Sequence, residues 1–206
     1  MGRKKGSRSA GYEEKRAELA TRVFRCIMDD GGISLNAMAD FTGVSRPTLR
    51  HYFGDRDGAV RAALETASEI GSGYVRQVQY AEGDTAAEAL RNALEFLVVG
   101  WRDYRVGRLH EVGLKVGLED LQTGRTYLEA IFEPMLRGFE SLVLRLQSEG
   151  KIARDRDPRT LALAVVSPVV MALLHQGPLG GKEIRALDIG PVLEEVIQMA
   201  TGQRPS

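Results

Sequence analysis

The stretch Ser34–Val60, SLNAMADFTGVSRPTLRHYFGDRDGAV, decides the fold. Ser34 is a good N-cap for a first short helix. Ser45 can cap a second helix whose first turn contains Pro47, where the missing backbone N–H costs nothing. Between the two helices, Gly43 is suited to the positive φ of a tight turn. The pattern therefore predicts two short helices that cross at a turn, a helix-turn-helix.

The same stretch resembles the DNA-binding motif of the TetR family of bacterial transcriptional regulators. The matching elements, all in register, are Met38-Ala39, Gly43-Val44-Ser45, Thr48-Leu49, Tyr52-Phe53 and Asp55-Arg56-Asp57. The resemblance is motif-specific for roughly residues 13–60. Over residues 61–206 it extends only to the layout of the helices, because that part of the family varies with the ligand.

The second helix, about residues 45–53, would enter the major groove, where side chains near its N-terminal end read bases. Arg46 and Arg50 can each donate two hydrogen bonds to guanine. The resemblance implies that Thr48, His51 and Tyr52 grip phosphates. The DNA-contact candidates are Ser34, Ser45, Arg46, Pro47, Thr48, Arg50, His51, Tyr52 and Arg56.

Two of these candidates depart from the family pattern. Arg50 replaces the usual tyrosine and Arg56 replaces the usual lysine, and both changes keep or add positive charge. The alternative for each arginine is a solvated surface charge, and the alternative for Tyr52 is partial burial against the first helix.

The chain as a whole reads as an all-α protein, because several segments show the helical period and none shows sustained alternation. We expect a disordered basic arm over residues 1–12, a helix-turn-helix domain over 13–57, and a ligand-binding and dimerisation domain over 58–206. The first 57 residues contain 11 Lys/Arg against 8 Asp/Glu, whereas the remainder contains 17 against 20. A basic N-terminal region joined to an acidic remainder is typical of a protein whose N-terminal region binds a polyanion. The arm is either a further DNA contact or a solvated tail.

Local signals predict the helices of the body. Their starts are indicated by the capping box Thr85-x-x-Glu88, by Asp157-Pro158 and by Asp188. Gly71-Ser72-Gly73 is expected to interrupt the fourth helix, which begins near Asp57, and Pro134 to kink or break a helix from about 123 to 148. Residues 104–122 look only weakly helical.

Two features of the body point to partners. The helices near 158–176 and 188–202 are apolar enough to form the interface of a homodimer, as the resemblance implies; the alternative is that both fill the core of one subunit. A cavity for an apolar small molecule is expected within residues 61–176. Its first candidates are Trp101, Tyr127, Met135 and His175; the alternative for each, and the more common one, is a place in the core.

Other classes of protein receive no support from the sequence. Cys26 is the only cysteine, so no intramolecular disulfide can form, and no histidine or cysteine spacing indicates a metal site. We find no catalytic motif, expect no cofactor, and consider the 14-residue apolar run Leu161–Leu174 too short to span a membrane. The sequence thus predicts a cytoplasmic, ligand-responsive repressor that releases a palindromic operator on binding a small apolar molecule. The alternatives are a nonspecific architectural DNA-binding protein and an activator of the same fold.

Overall fold

A computed structural model describes residues 10–29 and 32–202, and this part of the chain is helical without a β-strand. The predicted all-α class is confirmed. The helices are α1 (Ala10–Met28), α2 (Leu35–Thr42), α3 (Arg46–Phe53), α4 (Arg56–Gln79), α5 (Ala86–Arg102), α6 (Val106–Gly117), α7 (Leu121–Tyr127), α8 (Glu133–Ser148), α9 (Pro158–Gln176), α10 (Gly181–Ile184) and α11 (Ile189–Thr201). Most of the predicted arm, residues 1–9, lies outside the described residues, as does Gly31 of the Gly31-Gly32 pair expected to end the first helix.

The first of two compact units contains the described residues up to Glu69 together with Val112–Tyr127. Its α1 begins at Ala10, three residues before the predicted start, so that Tyr12 is part of a helix. Apolar faces of the first four helices form the core. Its fully buried side chains include Leu19, Val23, Ile27, Met38, Leu49, Val60 and Leu64.

The second unit contains residues Ile70–Glu111 and the chain from Leu128 onward. Helix α9 lies at its centre and packs against α8, α11 and α5. The predicted helix starts are confirmed: Thr85 and Glu88 form a complete capping box at α5, and the side chains of Asp157 and Asp188 cap α9 and α11. The guanidinium of Arg91 on α5 donates to the carboxylate of Glu194 on α11 through its two Nη nitrogens.

Helix α9 comprises 19 residues and is therefore longer than its apolar run. Among the described helices it alone has the length and apolar composition of a membrane-spanning segment, and half of it is buried inside the protein. The core helix of a protein that never enters a membrane has the same properties. The buried side chains of α9 lie among those of its neighbouring helices, which is the environment expected of a core helix.

Of three expectations about the helices of the body, one is confirmed and two change. The predicted interruption at Gly71-Ser72-Gly73 is wrong, because α4 continues through these residues to Gln79. The predicted break at Pro134 is confirmed: α7 ends at Tyr127, a π-helical turn spans Leu128–Phe132, and Pro134 lies in the first turn of α8. Residues 104–122, which looked weakly helical, contain all of α6 and the start of α7.

The glycines of α6 explain why its helical pattern is weak. A Cβ on Gly113 would lie 2.3 Å from Cδ2 of Tyr127, and one on Gly117 would lie 2.8 Å from Cα of Gly124. Both distances are far below van der Waals contact, so no larger residue fits without movement. In the first unit, α6 and α7 therefore form a closely packed hairpin whose glycines serve tertiary contact at the expense of helix propensity.

Candidate nucleic-acid interface

The helix-turn-helix is formed by α2, a turn at Gly43 and α3. Ser34 Oγ accepts a hydrogen bond from the Ala37 N–H at 3.1 Å, and Ser45 Oγ accepts one from the Thr48 N–H at 3.3 Å. Gly43 has a φ of 70°, as the turn requires. The predicted caps and turn are thus confirmed. Each serine hydroxyl still has its own proton to donate, and in Ser45 this hydroxyl lies 2.8 Å from that of Thr48.

The recognition helix α3 turns one face inward and the other toward solvent. Leu49 and Phe53 are buried and anchor it to the unit. Arg46 and Arg50 are exposed on its outer face. Within residues 10–29 and 32–202, neither guanidinium has an ion-pair or hydrogen-bond partner, so their donors are available to a ligand.

The remaining α3 candidates differ in exposure. Pro47 and His51 are exposed, whereas Thr48 and Tyr52 are half-buried. The alternative noted for Tyr52, burial against the first helix, is visible in part, since its ring lies 4.8 Å from that of Tyr12 on α1.

Arg56, the last DNA-contact candidate, is already bound to carboxylates. Its Nε donates to Asp57 at 2.5 Å and its Nη2 donates to Glu119 at 2.9 Å. These hydrogen bonds, first to Asp57 and then to Glu119, raise the pKa of Arg56 above its ordinary value. A phosphate at this position would have to replace Glu119 or share the guanidinium with it.

A second ion pair holds the α6–α7 hairpin to α4. Arg61 Nη1 lies 2.8 Å from Asp120 Oδ2 and 3.1 Å from the hydroxyl of Thr123. The hydroxyl and the backbone N–H of Thr123, and then Arg61, lower the pKa of Asp120 below its usual range. Asp120 therefore both caps α7 and binds α4.

A shallow groove of about 530 Å³ runs along the outer side of α2 and the start of α3. It is lined by Asn36, Ala39, Asp40, Val44, Ser45, Arg46 and Pro47. Asn36 and Asp40 were not among the predicted contacts. Both are exposed on α2, within two turns of the predicted Ser34.

The four ligand candidates lie on four different helices. Trp101 of α5 is half-buried and stacks on the buried His110 at 4.9 Å, with Gly107 beneath its indole ring. Burial lowers the pKa of His110 to about 4. Met135 is buried on α8, and His175 of α9 lies with its ring against Gly181, its Nδ1 2.9 Å from Gln176.

Tyr127, the fourth candidate, belongs to the first unit, where its buried ring covers Gly113. Burial raises the pKa of its phenol above the ordinary value. The described residues contain no group of three or more histidine, cysteine or acidic side chains placed to hold a metal ion.

Comparison with solved structures identifies the class of fold. No family model matches the sequence, and neither does any curated protein. The chain nevertheless has the fold of solved TetR-family regulators.

A TetR-family transcriptional regulator from Mesorhizobium loti superposes with a TM-score of 0.66 at 17% identity, covering 94% of this chain and 96% of its own. One from Rhodococcus sp. gives 0.65 at 20% identity, covering 91% and 99%. FadR of Thermus thermophilus, a TetR-family repressor solved in complex with lauroyl-CoA, gives 0.64 at 18% identity, covering 91% and 96%.

Proposed function

We propose that this protein is a ligand-responsive, sequence-specific DNA-binding transcriptional regulator, and that it represses transcription from a palindromic operator. The observation that carries the proposal is the geometry of α3. Ser45 caps the helix and Leu49 anchors it, while Arg46 and Arg50 are exposed and have no described partner. An α-helix that presents unpaired arginines suits the major groove of B-DNA.

In this function some of the candidate side chains contact bases and the others contact the DNA backbone. Arg46 and Arg50 read guanines through paired hydrogen bonds. The other candidates contact the sugar-phosphate backbone and fix the register of α3 on the duplex. They are Ser34, Ser45, Pro47, Thr48, His51, Tyr52 and Arg56.

Selection of binding sites from random DNA tests the proposal. We expect a palindrome whose half-sites are about one helical turn, roughly 10 base pairs, or a multiple of it apart. A nonspecific architectural protein would recover no shared sequence, and its affinity would depend on salt alone. Transcription in vitro from a promoter that overlaps the selected operator then separates repression, which we expect, from activation.

We further propose that the protein acts as a homodimer through α9 and α11. Leu163, Ser167 and Met171 are four residues apart and form one stripe along α9. Leu163 and Met171 are 42% and 59% exposed although α9 is otherwise an apolar core helix, and Met199 of α11 is 46% exposed. A second copy of the chain would cover these side chains and place two α3 helices on a palindrome.

The proposed effector is a small apolar molecule that the protein binds without converting it, within the cytoplasm. Trp101, Tyr127, Met135 and His175 remain the contact candidates, each on its own helix. The lauroyl-CoA bound by the Thermus thermophilus protein supports acyl thioesters as the first class to test.

Lauroyl-CoA is expected to raise the melting temperature and release the selected operator, whereas coenzyme A alone should do neither. Recovery of intact lauroyl-CoA after incubation would exclude turnover. If neither lauroyl-CoA nor other apolar acyl compounds shift the melting temperature, this effector class is wrong, while the DNA-binding proposal is judged by the selection experiment.

A further inference from the structure

Three aromatic rings meet at the C-terminal end of the recognition helix, and one of them comes from α1. The ring of Tyr12 lies 4.8 Å from that of Tyr52 at an angle of 31°, and 5.6 Å from that of His51, edge-on at 82°. His51 and Tyr52 are themselves 5.0 Å apart at 80°. Both offset and edge-on pairs at these distances are attractive, so the three rings stabilise one another's orientation.

A hydrogen bond joins the same elements. The Tyr12 hydroxyl donates to the backbone carbonyl of His51 at 3.4 Å. This carbonyl is one of the last four of α3, which have no partner within the helix. One turn further along α1, the guanidinium of Arg16 lies 5.7 Å from the centre of the Phe53 ring. The first two turns of α1 thus hold the C-terminal half of α3 at two points.

We propose that Tyr12 is a positioning residue for DNA binding, which holds His51 and Tyr52 in the orientation that grips the DNA backbone. This inference rests on the proposed DNA-binding function. A side chain that is already ordered loses less conformational freedom on binding, so the Tyr12 contacts raise the affinity for phosphate.

Phosphate contacts carry no sequence information, so the inference has a distinctive signature. Loss of Tyr12 weakens binding to operator and to scrambled DNA by the same factor. The slope of log affinity against log salt should change little, because a phenol hydroxyl donates a hydrogen bond to a phosphate without neutralising its charge.

The experiment compares Tyr12→Ala and Tyr12→Phe, each in the natural sequence and in a Tyr52→Ala background. The probes are a palindromic duplex recovered by selection and a scrambled duplex of equal length. Tyr12→Ala is expected to weaken binding to both about tenfold in the natural background and less than about threefold beside Tyr52→Ala, because Tyr12 then has only His51 left to position. Tyr12→Phe retains the ring and is expected to stay within about threefold of the natural protein. Tyr80→Ala removes an exposed tyrosine of the second unit and serves as the control.

A measurement without DNA separates this inference from the proposed function. In the free protein, Tyr12→Ala should shift the NMR resonances of the His51 and Tyr52 rings, and Tyr80→Ala should not. If selection recovers no duplex that the natural protein binds while these shifts occur, the proposed function fails and the orientation of the two rings by Tyr12 stands.

Two results would overturn the inference. One is an unchanged affinity of Tyr12→Ala for both duplexes together with unshifted ring resonances. The other is a loss of affinity that is just as large in the Tyr52→Ala background, which would mean that Tyr12 touches DNA itself.

Discussion

In the proposed function, Arg50 is the side chain on which sequence recognition depends most. It is exposed on the outer face of α3 and has no partner among the described residues. A bidentate arginine–guanine pair contributes about 1–3 kcal/mol to discrimination between bases. We therefore expect Arg50→Ala to lower the preference for the selected operator over scrambled DNA by about 5- to 150-fold, while salt-sensitive binding to scrambled DNA persists.

Titration of both duplexes by fluorescence anisotropy measures this preference. Arg25→Ala removes an exposed arginine from α1 of the same unit and controls for the loss of one positive charge. Equal preference in the Arg50→Ala and natural proteins would assign base reading to other side chains.

Arg56 and Glu119 form an ion pair that would compete with DNA in the proposed function. Because the Glu119 carboxylate occupies Nη2 of the guanidinium, a phosphate must displace it. Exposed ion pairs contribute about 0.2–1 kcal/mol, so Glu119→Gln should tighten binding to both duplexes about two- to fivefold. The same substitution in an Arg56→Ala background should change nothing beyond the general effect of charge.

Glu18→Gln measures that general effect, because Glu18 is an exposed carboxylate of α1 paired with Lys15 and Arg22. Weaker binding by Glu119→Gln would mean that Glu119 orients Arg56 for the phosphate instead of competing with it.

His110 makes the stability of the protein depend on pH. Its pKa is about 4 when folded, below the ordinary value of 6.5, because burial opposes the charged imidazolium. The unfolded chain therefore binds more protons between these two values, and the free energy of unfolding falls as the pH is lowered through this window. Between pH 7.5 and 5, His110 should account for a loss of about 2 kcal/mol.

Urea denaturation at pH 7.5 and 5 measures this loss. His110→Gln removes the titrating ring, so its free energy of unfolding should change less between the two pH values. An equal change in both proteins would show that His110 is not the group responsible.

Substitution of glycine by alanine is expected to have opposite effects on stability in the two helices α4 and α6. In α4, a Cβ on Gly71 or Gly73 would meet no described atom within 4 Å. Alanine at either position should stabilise the protein by about 0.5–1 kcal/mol, because helical conformation costs glycine more entropy. In α6, alanine at Gly117 meets the backbone of Gly124 and should destabilise by about 1–3 kcal/mol.

Thermal and urea unfolding of the three variants measure these signs. Since no described contact requires Gly71 and Gly73 to be small, their role would be the flexibility of α4, which contributes residues to both compact units. The double alanine variant should then respond less to an effector in operator release. Destabilisation by either alanine in α4 would indicate a contact in place of flexibility.

Sequence reasoning succeeded where a local signal determines the element. Ser34 and Ser45 cap the recognition motif, and the break near Pro134 follows from the missing N–H of proline. It was less successful where the role of a residue depends on a contact with a residue that is distant in the sequence. Gly117 is explained only by Gly124, and the fixed position of Tyr12 only by the rings of α3. The engagement of Arg56 by Glu119 was equally beyond reach, since 63 residues separate them.

For the molecule as a whole, the proposed dimer would determine whether one copy or two copies of α3 reach the operator. One α3 contacts only a half-site, so specificity for a palindrome requires two copies held at a fixed spacing. Leu163→Arg with Met171→Arg places two charges on the exposed stripe of α9. Because burying unpaired charges is costly, we expect a monomer in sedimentation at micromolar concentration, with the helical circular dichroism retained.

The matched control is Leu118→Arg with Leu121→Arg, which adds two charges to exposed leucines of the first unit, whereas α9 and α11 belong to the second unit. This variant should sediment as the natural protein does. The monomeric α9 variant should bind an isolated half-site as tightly as the natural protein does. It should lose the additional affinity that the natural protein has for the full palindrome, because a second α3 is no longer held near the second half-site. A dimer that survives both arginines on α9 would place the interface elsewhere, and a natural protein that sediments as a monomer would contradict the palindromic operator itself.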